Sequence, residues 1–150
     1  MRIYVVPRRY IKMFSAKDDF FKNNNFISIG EVDGCEGVPI DGKNILKLVF
    51  DDATDQETGV NLFNEFHAEQ IKAFAERLDQ SKPLYINCYA GVSRSGAVGT
   101  VLNDYFNLYL TDCKRTPDWE AFYENNRQIQ PNAYVMRILR KIIVNKGIPL

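Results

Sequence analysis

The stretch that decides the reading is Ile86-Asn-Cys-Tyr-Ala-Gly-Val-Ser-Arg-Ser-Gly96. Apolar "PLYI" precedes Cys88 and apolar "GAVGTVL" follows Ser95. A short apolar run before the cysteine reads as a strand, and Val98, Val101, Leu102 and Tyr105 recur at helical spacing after it. The loop between is made of small residues. Successive N–H groups from Tyr89 to Arg94 are then able to turn inward and form an anion-binding nest at a helix N-terminus near Ser95. Gly91, Ser93 and Ala90 permit such a curl. A thiol at the base of the nest is favoured as thiolate by the N–H groups, the helix end and a nearby cation. Arg94 supplies a planar fork for two phosphate oxygens. Ser95 offers a hydroxyl to the sulfur. Together these suit nucleophilic phosphoryl transfer through a cysteinyl-phosphate without a metal or other cofactor. The plain alternative is a buried structural cysteine with Arg94 in a surface ion pair.

The rest of the chain sets limits. Its 150 residues, 45% apolar and 25% charged, fit a single globular domain spanning 1–150. The 19 basic and 19 acidic residues cancel, so no general nucleic-acid or membrane-surface binder is expected. Three cysteines, Cys35, Cys88 and Cys113, are too few and too scattered for a disulfide framework or a Cys-rich zinc site. No signal-peptide or membrane-spanning stretch is read in the N-terminal sequence, and a reducing, cytoplasmic setting is expected.

"IYVV", "FISIG", "ILKLVF" and "PLYINC" read as strands, with a loop punctuated by Gly30, Gly34, Gly37, Pro39 and Gly42. Helices are expected over "SAKDDFFKNN", with Ser15 as a cap, and over Asn61–Gln80. Further helices are expected behind the cysteine loop, from Thr116-Pro117 and from Pro131. The fold class is α/β: a central, mainly parallel sheet flanked by helices, the loop between a strand end and a helix N-terminus, and a helical final third. Ligands of such sheets bind beyond the carboxyl ends of the strands.

A proton donor is also needed. Asp51, Asp52 and Asp55 stand where "LVFDDATDQ" leaves a strand, and spacing alone selects none of them. His67, the only histidine, reads as a half-exposed helix residue. Cys35 and Cys113 read as packing residues, Trp119 as core, and Arg8, Arg9 and Lys12 as a solvated basic face.

These residues resemble the cysteine-dependent protein tyrosine phosphatase superfamily, above all its dual-specificity branch with small atypical, bacterial and viral members. Family loops read His-Cys-x-x-Gly-x-x-Arg-Ser/Thr, and "NCYAGVSRS" matches at Cys88, Gly91, Arg94 and Ser95. Arg127, Ile129, Pro131, Asn132 and Leu139 are similar to the family's segment before its last helix. "FDDA" corresponds to its general-acid loop and "FISIGE" to an early core strand, so the likeness runs from Phe26 to Lys146. The resemblance implies a protein tyrosine or dual-specificity phosphatase domain. Cys88 is its nucleophile, Arg94 and residues Tyr89, Ala90, Gly91, Val92 and Ser93 its phosphate loop, and Ser95 its thiolate partner. Asp52 is its general acid, with Asp51 and Asp55 in reserve. The expected partner is a phosphorylated protein or peptide. Asn87 departs from the family, which places a loop-ordering histidine there. That departure motivates an alternative, a module that binds phospho-residues with weak turnover. The uncharged loop interior argues against a phosphoinositide or RNA 5′-phosphate substrate, and the span from Cys88 to Arg94 argues against rhodanese-type sulfur transfer.

Overall fold

The structure is a computed structural model that describes residues 1–14, 18–31, 42–53 and 61–144. Four strands, β1 (Ile3–Pro7), β2 (Asn25–Gly30), β3 (Ile45–Val49) and β4 (Leu84–Cys88), form one sheet in the order β1-β4-β2-β3. Among the described residues the three pairings of these strands are parallel. Parallel strands are covered on both faces, which is why their sequences are nearly continuous apolar runs; β2 is buried at each of its positions.

Two apolar layers do the covering. On one face Ile3, Val5, Ile27, Ile29, Leu84 and Ile86 pack against Phe74, Leu102, Phe122 and Leu139. Those four belong to helices α3 (Glu65–Arg77), α4 (Arg94–Asn107), α5 (Pro117–Asn125) and α6 (Ala133–Val144). On the other face Phe26 joins Ile11 and Phe21, with Tyr10, Phe20 and Tyr85 against them, from α1 (Arg8–Phe14) and α2 (Asp18–Lys22). Burying each of these large side chains contributes about 1.5–3 kcal/mol. Among the described residues no helix is long and apolar enough to cross a membrane.

Several boundaries differ from the sequence reading. Helix α1 was not expected, because the apolar "YVV" and Pro7 dominate that stretch; it forms where Ile11 can reach the second apolar layer. The Ser15 cap lies outside the described residues, and α2 begins at Asp18. The long helix expected over Asn61–Gln80 starts at Glu65 because the Asn64 side chain accepts hydrogen bonds from the N–H groups of Phe66 and His67. His67 is buried rather than half-exposed. Its Nδ1 accepts from the Asn64 N–H at 3.1 Å, and its ring stacks on Phe63. Burial holds its pKa below the usual histidine value, against a backbone bond at Val49 that raises it.

The last helix starts at Ala133 rather than Pro131, since the Asn132 side-chain Oδ1 caps the N–H groups of Tyr134 and Val135. Trp119 is half-buried, not core: its indole N–H donates to Asp104 and Arg115 lies over its ring. Cys113 is exposed rather than packed. Cys35 lies outside the described residues.

Candidate active site

All four strands deliver residues to one end of the sheet. Beyond β1 stands Arg8, beyond β2 Glu31, beyond β3 Phe50, Asp51 and Asp52, and at the end of β4 Cys88 and its loop. This is the carboxyl end of a parallel sheet, where such folds bind ligands.

The loop's conformation follows from where its carbonyls go. Tyr89 O accepts from the Arg8 N–H at 3.1 Å. Gly91 O accepts from Gln128 Nε2 at 3.2 Å. Val92 O accepts from the Gln130 N–H and Ser93 O from the N–H groups of Asn132 and Ala97. Peptide planes whose oxygens are held outward turn their N–H groups inward. Gly91, at φ +69°, makes the turn, and an added Cβ would lie 2.5 Å from the backbone of Val6 and Pro7.

The outer brace is itself anchored on the edge strand. Asn126 accepts from the Val5 N–H at 2.7 Å and donates to Ile3 O at 3.0 Å, while Gln128 also donates to Val5 O at 2.9 Å. These side chains satisfy the open edge of β1 and hold the segment before α6 against the loop.

Cys88 is 2% exposed, at the base of this loop. Its Sγ lies 3.0 Å from Ser95 Oγ. Burial pushes the thiol up. The Ser95 hydroxyl and the N–H groups of Ser95, Val92 and Gly91 more than reverse that, and its pKa falls below the ordinary cysteine value.

Arg94, 6% exposed, opens α4. Its Nη1 donates to Phe50 O at 2.9 Å and its Nη2 to Glu31 Oε1 at 2.8 Å. Glu31 Oε2 takes Arg8 Nη2 at 2.5 Å, so one carboxylate joins two buried guanidiniums. Partial burial pushes the Glu31 carboxyl up, but Arg8 and Arg94 hold it down to about 2. In the sequence Glu31 stands only as the end of a core strand, with no sign of this role. Nor does the sequence show a buried Arg8, which reads there as part of a solvated face.

The three aspartates separate. Asp51 Oδ2 accepts from the Asn61 N–H at 2.8 Å. Asp52 Oδ1 accepts from Ser93 Oγ at 2.8 Å and from Asn132 Nδ2 at 2.9 Å, beside the cysteine loop. Asp55 lies outside the described residues. Asn87 is 1% exposed, and its Nδ2 is buried without an acceptor among the described residues. Among the described residues no group of three or more His, Cys, Asp or Glu side chains is gathered to hold a metal ion.

No protein-family model and no curated protein matches the chain by sequence. Solved structures do match. Human tyrosine phosphatase-like serine/threonine/tyrosine-interacting protein superposes with a TM-score of 0.60 at 16% identity, over 93% of this chain and 89% of that one. Human DUSP28 gives 0.60 at 16% identity, over 95% and 92%. PTPMT1 in complex with PI(5)P gives 0.54 at 17% identity, over 96% and 91%. The chain, with its parallel sheet and its cysteine loop opening α4, has the fold of the cysteine-dependent protein tyrosine phosphatase superfamily.

Proposed function

We propose that residues 1–150 are one catalytic domain that hydrolyses phosphomonoesters on protein or peptide through a cysteinyl-phosphate. The observation that carries this reading is the buried Cys88 thiol, favoured as thiolate by inward N–H groups and by Ser95 in a loop whose carbonyls are held outward. The same donors suit an incoming phosphate.

In the first step Cys88 Sγ attacks phosphorus and the bond to the leaving oxygen breaks. Asp52 gives that oxygen a proton. Its Oδ1 accepts from Ser93 and Asn132, and in this reading Oδ2 carries the transferable proton. Arg94 and the N–H groups of Tyr89 to Arg94 hold the equatorial oxygens, with the Arg94 fork oriented by Glu31 and Phe50 O. In the second step water attacks phosphorus and Asp52 accepts its proton. The S–P bond breaks as the Ser95 hydroxyl stabilises the departing thiolate, and inorganic phosphate is released.

The test is hydrolysis of 4-nitrophenyl phosphate across pH. Cys88→Ser loses turnover. Asp52→Asn loses on the order of 10²–10⁴-fold in kcat and flattens the alkaline limb, while Asp51→Asn keeps it. Equal turnover by wild type and Cys88→Ser overturns the reading.

A second reading is favoured by Asn87, whose buried Nδ2 has no acceptor among the described residues. A family histidine orders the loop from this position, and the Asn87 amide N–H2 finds no acceptor for that purpose among the described residues. The chain then captures phospho-residues and turns them over slowly. Phosphopeptide binding with negligible hydrolysis at every pH supports this reading, and an aryl-phosphate burst removes it.

A further inference from the structure

At the amino end of the sheet, away from Cys88, a cleft of about 280 Å³ opens where α2 ends, β2 and β3 begin and α3 turns toward β4. Four cations line it, Lys22, Lys43, Arg77 and Lys82, with one carboxylate, Asp79. No ion pair among the described residues joins any of the four to a carboxylate. Asp19 on α2 and Glu76 on α3 lie outside the lining. Asp79 Oδ1 is already taken by the Ser81 hydroxyl at 2.6 Å and the Ser81 N–H at 2.9 Å. These bonds, and the Lys82 charge after them, hold its carboxyl below the usual range. Four cations thus meet one carboxylate in a chain whose 19 basic and 19 acidic residues cancel.

The framework of the cleft is hydrogen-bonded. Asn44 Nδ2 donates to Phe21 O at 2.5 Å and to Asn24 O at 2.8 Å. The buried Asn25 donates through Nδ2 to Asp79 O at 2.9 Å and to Lys82 O at 3.2 Å. Arg77 Nη1 donates to Lys43 O at 2.7 Å, and Lys82 Nζ to Lys22 O at 3.2 Å. These bonds tie four chain segments together and hold the cations near one another before a ligand arrives, which lowers the cost of binding. Lys22 ends α2 and Arg77 ends α3, where cations complement the helix dipoles. Lys43 and Lys82 end no helix, so the dipoles do not account for the cluster. Like charges gathered without counter-charges oppose folding, and an anionic partner relieves that repulsion.

We propose that this cleft docks an acidic, extended segment of a partner protein. The carboxylates of the segment meet Lys22, Lys43, Arg77 and Lys82, and its backbone N–H groups suit the Asp79 carboxylate. A polyphosphate brings no donor for Asp79, and none of the lining residues is an aromatic ring on which a nucleic-acid base stacks. A bilayer is flat and meets projecting side chains, whereas this site is set back between four segments. It also stands apart from the cysteine loop: β2 runs between the two ends of the sheet, and its six residues span about 20 Å. The site takes no part in bond breaking and does not depend on the reading of the loop.

The test is fluorescence anisotropy of a labelled glutamate-rich peptide without phosphate, titrated with the full chain at about 50 mM salt. The matching glutamine peptide is the control. The acidic peptide binds about tenfold more tightly than the control, and the advantage falls toward one in about 0.5 M salt. Lys22→Gln/Lys43→Gln weakens the acidic peptide about fivefold, the scale of two partly exposed charge contacts. Both side chains are exposed, and both residues join the framework through their backbone carbonyls, so the variant keeps the wild-type melting temperature.

Arg9→Gln/Lys12→Gln, on basic side chains beside the cysteine loop, leaves the affinity for the acidic peptide unchanged. Equal binding of the two peptides to wild type overturns the proposal. So does an unchanged affinity in Lys22→Gln/Lys43→Gln, or an equal loss in Arg9→Gln/Lys12→Gln, which places the contact at the other end of the sheet. Single-stranded DNA or phosphatidylserine vesicles that bind more tightly than the acidic peptide, and lose more in Lys22→Gln/Lys43→Gln, also overturn it by assigning the cleft to phosphates. Failure of the cysteine-loop reading leaves these outcomes untouched, because the probe peptide carries no phosphate.

Discussion

Replacing Glu31 with glutamine keeps the size of the side chain and removes its charge. Glu31 Oε1 and Oε2 lie 2.8 and 2.5 Å from Arg94 and Arg8, whose side chains are only 8% and 10% exposed. Glutamine retains one acceptor for two guanidiniums, and the two buried cations then face each other with no anion between them. Removing one partner of a fully buried ion pair costs about 3–5 kcal/mol, and an exposed pair is worth about 1 kcal/mol at most. Glu31 is 39% exposed, so solvent screens part of the effect, and we take about 2 kcal/mol. For a domain of this size that is a drop in Tm of about 4–8 °C.

The sign of the pH dependence is set by the carboxyl. Its folded pKa of about 2 lies below the ordinary 4.5, so its contribution is complete above about 4.5 and lost as pH falls toward about 2. Urea denaturation of wild type and Glu31→Gln between about pH 7 and about pH 2.5 measures both. The gap is widest at neutral pH and narrows on acidification. A variant within about 0.5 kcal/mol of wild type at neutral pH, or a gap that stays constant into acid, would refute the reasoning.

Two more outcomes are expected. Gly91→Ala forces a left-handed φ on a residue with a Cβ, at about 1–2 kcal/mol, and drives that Cβ into the backbone of Val6 and Pro7. The loop moves, the Gln128 bond to Gly91 O is lost, and aryl-phosphate turnover falls at least tenfold with a stability loss of about 2–3 kcal/mol; unchanged kinetics would show that the loop does not need this turn. Ser95→Ala removes the hydroxyl 3.0 Å from Cys88 Sγ. The thiol titrates at higher pH, and its alkylation by iodoacetamide near neutral pH slows about tenfold, whereas an unshifted alkylation profile places the thiolate's support in the backbone N–H groups alone.

The local pattern determined much of this. Apolar runs of strand length gave β1 to β4, and a small-residue loop between a strand and a helical repeat gave the nest around Cys88, because both are governed by neighbours in the chain. The identity of the outward-facing partners was not legible. Gln128, Gln130 and Asn132 brace the loop from some forty residues away, and nothing in their own stretch says which carbonyl each will meet. Asp51, Asp52 and Asp55 were equivalent on spacing. Only tertiary contacts set Asp51 on Asn61 and Asp52 on Ser93 and Asn132. Glu31 and Arg8 were missed for the same reason. Each ends a strand or opens a short helix unremarkably, and their joint meaning appears once parallel pairing brings the four strand ends together. What the sequence determined was the cysteine loop and the layer architecture. What the tertiary structure decided was the charge around them, because ion pairs join residues distant in the chain and adjacent only at the carboxyl end of the sheet.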